Sequence, residues 1–318
     1  MPDWTVIITE PINDAGVKLL ESSGVNVVHL PPGAKENDLM KIVNEADGLI
    51  TRGTIKITRE LMSSSPRLKV VGVHGIGCDH VDLQAAKELG KKVCNTPDAL
   101  TTTVAEMALA LILSMTRRIV SADKAIRLGE WNRKYTDLIG TEMAGKIVGL
   151  IGLGRVGEAT AKRLKPFDVK MIYWSRTRKP EVEKSLDIEY ADLDDLLHLS
   201  DIISMHLPGN SETHHIIDGA KIAKMKEGVM IVNAARGRVI DEQSLIEAIK
   251  RGKVSYVALD VFEKEPLPSE SPLRAMDTVI LTPHLGASSR EAMRRMATQV
   301  AEEVLMAIRG EEPQNRVI

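Results

Sequence analysis

The chain has 318 residues, 43% hydrophobic and 27% charged, and its 42 Lys and Arg against 44 Asp and Glu leave a formal net charge of −2. This length favours two domains of roughly 100–200 residues each. The apolar fraction excludes a disordered chain, and the near-neutral balance excludes a general nucleic-acid binder with a broad basic face.

The opening MPDWTVIITE places an acid and a tryptophan where a secretory leader needs basic residues and then an apolar run, so export is not expected. Short β-branched runs then alternate with amphipathic segments: strands are predicted at Thr5–Thr9, Val25–His29, Gly48–Thr51, Lys69–Val73 and Lys92–Cys94, with helices such as Asn13–Ser22 and Asp82–Leu89 between them. A single helical pattern follows from Thr101 to Leu128, long enough to join two domains; its most apolar part, Val104–Met115, is broken by Glu106 and is too short for a membrane span. A second series of strands is predicted at Lys146–Ile151, Val169–Trp174, Ile202–Ser204, Val229–Val232, Tyr256–Leu259 and Val279–Leu281. The last helical pattern, Ser288–Arg309, comes after that series is complete and is free to return to the first domain. The expected fold is α/β with two doubly wound parallel sheets. Cys78 and Cys94 form no CxxC pair, so a reduced, cytoplasmic compartment is expected.

Strand Lys146–Ile151 runs into Gly152-Leu-Gly-Arg-Val-Gly157 and then a helical pattern, Glu158–Leu164. In that context each glycine has a physical role. Gly152 permits the turn, Gly154 admits a pyrophosphate to the backbone, and Gly157 lets helix pack on strand. The free N–H groups at the helix start hold the anion. A second cluster, Gly72-Val-His-Gly-Ile-Gly77, breaks the spacing and reads as a loop whose amides approach a small substrate.

An NAD-binding version of this turn carries Asp or Glu about 20 residues on, at the end of the second strand, for the ribose 2′-hydroxyl. Here Val169–Trp174 is followed instead by Ser175-Arg-Thr-Arg178. Hydroxyls and an arginine ligate a 2′-phosphate, and one charge-assisted bond favours NADP by about 10–100-fold. NADP is therefore the preferred cofactor, with NAD the alternative.

Three further segments join a strand end to unusual polar residues: Asn233-Ala-Ala-Arg-Gly-Arg238, Ala258–Pro266 and Thr282-Pro-His-Leu-Gly-Ala287. A keto-acid reductase needs a cation for the carboxylate, an acid for the developing alkoxide and a carboxylate to keep that acid protonated; Arg, His and Glu meet those needs. With these motifs the chain closely resembles, over nearly its whole length, the D-isomer-specific 2-hydroxyacid dehydrogenases, a family that includes glyoxylate and hydroxypyruvate reductases and 3-phosphoglycerate dehydrogenase. Its landmarks are Gly152–Gly157, Asn233–Gly237, Asp260–Pro266 and Thr282–His284.

The resemblance implies that Arg236 anchors the keto acid, that His284 is the acid/base paired with Glu265, and that Asp260 holds the nicotinamide carboxamide. It implies a Rossmann cofactor domain, 100–287, inserted in a flavodoxin-like substrate domain, 1–99 with 288–318, and a cleft that closes on the substrate. The cofactor set is expected to comprise Gly152, Leu153, Gly154, Arg155, Val156, Ser175, Arg176, Thr177, Pro208, Thr213, Ala234, Asp260 and Gly286, and the substrate set Arg52, Gly53, Ile76, Gly77, Arg236 and His284. The expected activity is reduction of glyoxylate or hydroxypyruvate to the D-2-hydroxy acid. The alternatives are 3-phosphoglycerate dehydrogenase, with Arg52 meeting a phosphate, and, from another class, an NAD(H)-dependent corepressor; formate dehydrogenase is disfavoured because it carries Gln where this chain has Glu265. With the chain stopping at Ile318, serine regulation is not expected. His80 stands where many relatives carry Asn, which implies a local turn change. His206, His214 and His215 suggest no metal, since adjacent histidines project in different directions and no carboxylate pair accompanies them. Thr101–Leu128 with Trp131 reads as an interdomain core helix and, as the resemblance implies, as a dimer interface, the two not being exclusive; a homodimer is expected, and no membrane or nucleic-acid partner.

Overall fold

A computed structural model describes residues 4–318. In chain order the first elements are β1 (Thr5–Ile8), α1 (Asp14–Ser22), β2 (Asn26–His29), α2 (Glu36–Met40), β3 (Gly48–Thr51), α3 (Arg59–Ser63), β4 (Val70–Val73), α4 (Leu83–Glu88) and β5 (Lys92–Cys94). Next come α5 (Thr101–Thr116), α6 (Ile119–Arg127), β6 (Ile147–Ile151), α7 (Arg155–Leu164), β7 (Lys170–Trp174), α8 (Pro180–Leu186), β8 (Ile188–Tyr190), α9 (Leu193–Leu199) and β9 (Ile202–Met205). The chain ends with α10 (Gly219–Lys224), β10 (Val229–Asn233), α11 (Glu242–Lys250), β11 (Val254–Leu259), β12 (Val279–Leu281) and α12 (Arg290–Ile308).

It divides into two compact units, Met1–Leu100 with Ala287–Ile318, and Thr101–Gly286. The first holds a parallel sheet in the order β2-β1-β3-β4-β5, the flavodoxin-like arrangement. Strands β3 and β4 are buried along their whole length, as parallel strands covered on both faces must be. Helix α12 covers one face: Val300, Ala301 and Val304 are completely buried against Val6, Ile50 and Val70. Its close approach depends on Gly72, where a Cβ would stand 2.6 Å from Val304 Cγ2.

In the second unit the sheet runs β12-β11-β10-β9-β6-β7-β8, all parallel. The order reverses at β6, with β7 on one side and β9 on the other. In such sheets this is where ligands bind, beyond the strands' carboxyl ends. β6, β7, β9, β10, β11 and β12 all deliver candidate site residues to that end.

The structure departs from the expected elements in two places. The Thr101–Leu128 pattern is two helices, α5 and α6, divided at Arg118, which adopts φ 57°. Its guanidinium lies over the Tyr256 ring and donates to the Met115 carbonyl. Tertiary contacts offset the cost of the break, and no Gly or Pro marks it in the sequence. β8 was not expected: it is a three-residue edge strand with one buried residue, Ile188, and too short to show a period.

Candidate active site

β6 ends in a turn at Gly152 (φ 100°), where a Cβ would lie 2.6 Å from the His206 carbonyl oxygen. Gly157 is equally constrained, its Cβ position being 2.2 Å from the Gly152 oxygen, so helix α7 packs directly on the turn. Gly154 differs: nothing lies within 4 Å of its Cβ position, and it immediately precedes α7. This open backbone at a helix N-terminus fits a dinucleotide pyrophosphate. Arg155 is exposed and Val156 half-buried beside it, whereas the Leu153 side chain is 1% exposed within the core, so Leu153 has only its main chain to offer. Desolvation pushes His206 down to about 4; it is neutral near pH 7 and shares a hydrogen bond with Ser204 Oγ at 2.9 Å.

Beyond β7, the Ser175 hydroxyl donates to the Thr177 carbonyl (2.6 Å) and closes the turn. Arg178 is committed to Glu183 at 2.9 Å, which also accepts from the Tyr173 hydroxyl. Arg176 is exposed and meets Glu212 at 2.7 Å. Glu212 was not foreseen. It sits in the loop after β9, where Asn210 Oδ1 accepts the N–H groups of Glu212 (3.0 Å) and Thr213 (3.1 Å). The Asn-Ser-Glu-Thr run is the available signal, since Asn closes such turns on its own backbone. Pro208 is exposed in this loop, while Thr213 is buried and its hydroxyl donates to the Pro208 carbonyl at 2.6 Å. Thr213 thus builds the loop.

The remaining site residues surround one buried carboxylate. Asp260, directly after β11, is 0% exposed. Its Oδ1 accepts from the Thr282 hydroxyl (2.6 Å) and the Leu285 N–H (2.8 Å), and its Oδ2 from the Gly286 N–H (2.7 Å). A carboxylate has about four acceptor positions, and three of these are filled by the protein. These bonds, with His284 N–H to the Asp260 carbonyl at 2.9 Å, hold His284 at φ 54°. Such a left-handed histidine persists only where its surroundings over-determine it.

His284 Nδ1 donates to Glu265 Oε2 at 2.7 Å, which leaves Nε2 as the nitrogen for proton exchange. That bond raises the histidine above its ordinary value, outweighing burial and the opposing positive charge of Arg236. Burial alone would raise Glu265, but the bond and charge of His284, the Phe262 N–H and the charge of Arg236 together hold it below the usual carboxylate range. Arg236 follows β10 in a turn closed by Asn233, whose Nδ2 donates to the Arg236 carbonyl (2.9 Å) and whose Oδ1 accepts from Ala235 N–H (3.0 Å); Ala234 is buried inside it. Arg236 Nη1 donates to the Ala235 carbonyl at 2.7 Å. The guanidinium, imidazole and carboxylate expected to act together are therefore electrostatically coupled.

The other expected substrate residues lie in the first unit, at the ends of adjacent strands β3 and β4. The Arg52 and Thr54 N–H groups both donate to Glu10, at 2.8 Å each, and the Arg52 side chain donates to the Pro11 carbonyl at 2.8 Å. Gly53 adopts φ 112° with the His80 ring packed beside it, so the turn change expected at His80 falls next to this loop. After β4, the Ile76 carbonyl accepts from Asn95 Nδ2, and Ile76 is exposed. Neither the Ile76 nor the Gly77 N–H donates to a protein acceptor among the described residues. Two adjacent open donors suit an anion.

His214 and His215 do not diverge as expected. Their ring centroids are 4.0 Å apart, because His215 adopts φ 48°, and His215 Nε2 pairs with Glu263. Among the described residues no group of three or more His, Cys, Asp or Glu is arranged to hold a metal ion, and no helix is long and apolar enough to cross a membrane.

Comparison with known proteins gives these features a class. Residues 109–286 match the family model of the D-isomer specific 2-hydroxyacid dehydrogenase NAD binding domain. A glyoxylate reductase of Thermofilum pendens is 42% identical over 315 residues, covering 97% of this chain and 92% of its own. A hydroxypyruvate reductase of Thermotoga maritima is 42% identical over 309 residues, covering 96% and 98%. The crystal structure of a glyoxylate reductase from Paecilomyes thermophila superposes with a TM-score of 0.90 at 32% identity, over 100% of this chain and 99% of that one. The chain belongs to the D-isomer-specific 2-hydroxyacid dehydrogenase family. It is an NAD(P)-dependent oxidoreductase with a nicotinamide-binding domain.

Proposed function

We propose that this enzyme reduces glyoxylate or hydroxypyruvate to the D-2-hydroxy acid, with NADPH preferred over NADH. The observation that carries this reading is the His284–Glu265 pair, with its raised histidine, beside Arg236. A reduced nicotinamide, when bound, supplies the hydride for C2 of the keto acid. Arg236 holds the carboxylate and polarises the carbonyl, His284 passes its Nε2 proton to the oxygen as negative charge develops there, and Glu265 stabilises the imidazolium beforehand. Asp260 takes the carboxamide on its remaining acceptor position and braces the His284 loop.

The unit formed by 1–100 with 287–318 is assigned to substrate recognition, supported by the open N–H groups of Ile76 and Gly77. The phosphoglycerate alternative is less well supported, because the Arg52 guanidinium is engaged by the Pro11 carbonyl and Glu10 stands beneath its loop. NADP preference is supported by Ser175, Arg176 and Thr177 standing where an acid would repel the 2′-phosphate. Turnover of glyoxylate, hydroxypyruvate, pyruvate and phosphohydroxypyruvate with each reduced cofactor tests the assignment. The expected result is greatest kcat/KM for glyoxylate or hydroxypyruvate with NADPH; preference for phosphohydroxypyruvate overturns the substrate reading, and no turnover at all would favour the corepressor alternative.

A homodimer is proposed on a separate observation. Ile119, Val120, Ile126, Leu128, Trp131, Tyr135 and Ile139 are each about half exposed or more along α6 and the segment after it. Exposed apolar side chains concentrated in one segment suit an association surface, and a second copy is the commonest occupant of such a surface. Both cysteines are free, which supports a reducing cytoplasmic location.

A further inference from the structure

The loop after β7 carries the arginine that would meet a 2′-phosphate, yet the side chain it meets is an acid from another loop. Arg176 Nη1 stands 2.7 Å from Glu212 Oε2, with the two side chains 75% and 65% exposed. The backbone that carries Glu212 is held in place. Asn210 Oδ1 fixes its N–H, Asn210 N–H donates to Thr213 Oγ1 at 3.0 Å, and that hydroxyl is tied in turn to the Pro208 carbonyl. The turn thus places Glu212 in the loop after β9, beside the switch point of the sheet, from which its carboxylate reaches Arg176. The neighbouring cation, Arg178, is already held by Glu183 and cannot substitute without breaking that pair.

We propose that Glu212 sets how strictly the enzyme prefers NADPH, by competing with the 2′-phosphate for Arg176. The inference rests on the NADP reading given above. A phosphate entering this loop must displace the carboxylate from the guanidinium or lie beside it, and like charges so placed repel. NADH, which has only a hydroxyl there, does not disturb the pair. Glu212 therefore lowers affinity for NADPH alone and leaves the enzyme able to use both cofactors. Exposed ion pairs of this kind are worth little, which converts to about a twofold to fivefold effect on affinity.

The test compares the full-length wild type with E212Q, R176A and the double variant. It measures kcat/KM for NADPH and for NADH, and titrates 2′,5′-ADP by calorimetry as a readout independent of turnover. E212Q is expected to raise kcat/KM for NADPH and tighten 2′,5′-ADP by about twofold to fivefold, leave NADH unchanged, and lose its effect in the R176A background. The gain should shrink as salt is raised, since both groups are exposed. If R176A weakens NADPH while E212Q changes nothing, the competition is disproved and the NADP reading survives. An equal gain with NADH would show that Glu212 only shapes the loop, which also overturns the proposal. If R176A leaves the discrimination between cofactors unaltered, the NADP reading fails and the role of Glu212 fails with it.

Discussion

Two loops at the carboxyl end of the same sheet show how differently charge can be used. The loop after β12 is built on the buried Asp260, whose three side-chain-accepted bonds hold His284 in a conformation it would not adopt alone. The loop after β7 carries the exposed pair Arg176–Glu212 beside Arg178, which is held by the largely covered Glu183. A charge out of water interacts strongly and makes its neighbours rigid, whereas an exposed pair contributes at most about 1 kcal/mol. On the proposed function, the proton chemistry rests on the first loop and the cofactor choice on the second.

The sharpest test of this contrast is H284A. It should lower kcat for keto-acid reduction by about 10²–10⁴-fold, the usual worth of a general acid, with cofactor dissociation constants changed less than about threefold. Turnover within threefold of wild type would remove His284 from the chemistry. R176A should act more weakly and on another quantity, reducing the NADPH-over-NADH ratio of kcat/KM by about 10–100-fold. The effect of E265Q is best seen as a pH dependence. Glu265 raises His284, and reduction needs the imidazolium, so activity is lost as pH rises through the histidine's raised value. Without the carboxylate that value falls, and the alkaline limb of kcat/KM for reduction should move to lower pH. In the oxidative direction, which needs neutral His284, the acidic limb should move the same way. Limbs that stay in place would mean that Glu265 does not set the proton donor.

Much of this was legible beforehand for identifiable reasons. The run Gly152–Gly157 between a β-branched strand and a helix is a local pattern, and Gly152 and Gly157 answer to contacts within a few residues or one strand away. The central strands of both sheets were visible because parallel strands buried on both faces are continuous apolar runs, whereas the edge strand β8 was not. The division at Arg118 was not legible, since no Gly or Pro marks it and the compensating contact is with Tyr256, far away in the chain. Nor was the stacking of His214 on His215, which depends on one backbone angle. Glu212 lies 36 residues from Arg176 and looks like any loop acid until two strands bring their ends together.

By itself, the sequence determined the alternation of strands and helices, the dinucleotide turn and the identities of Arg236, Glu265 and His284. The first two follow from periodicity and glycine spacing, and the last from the motifs that carry the family resemblance. Only the tertiary structure decided which groups share a proton or a charge. Asp260 becomes the centre of the His284 loop, and Glu212 the partner of Arg176, because hydrogen bonds and ion pairs act over about 3 Å in space whatever the separation along the chain.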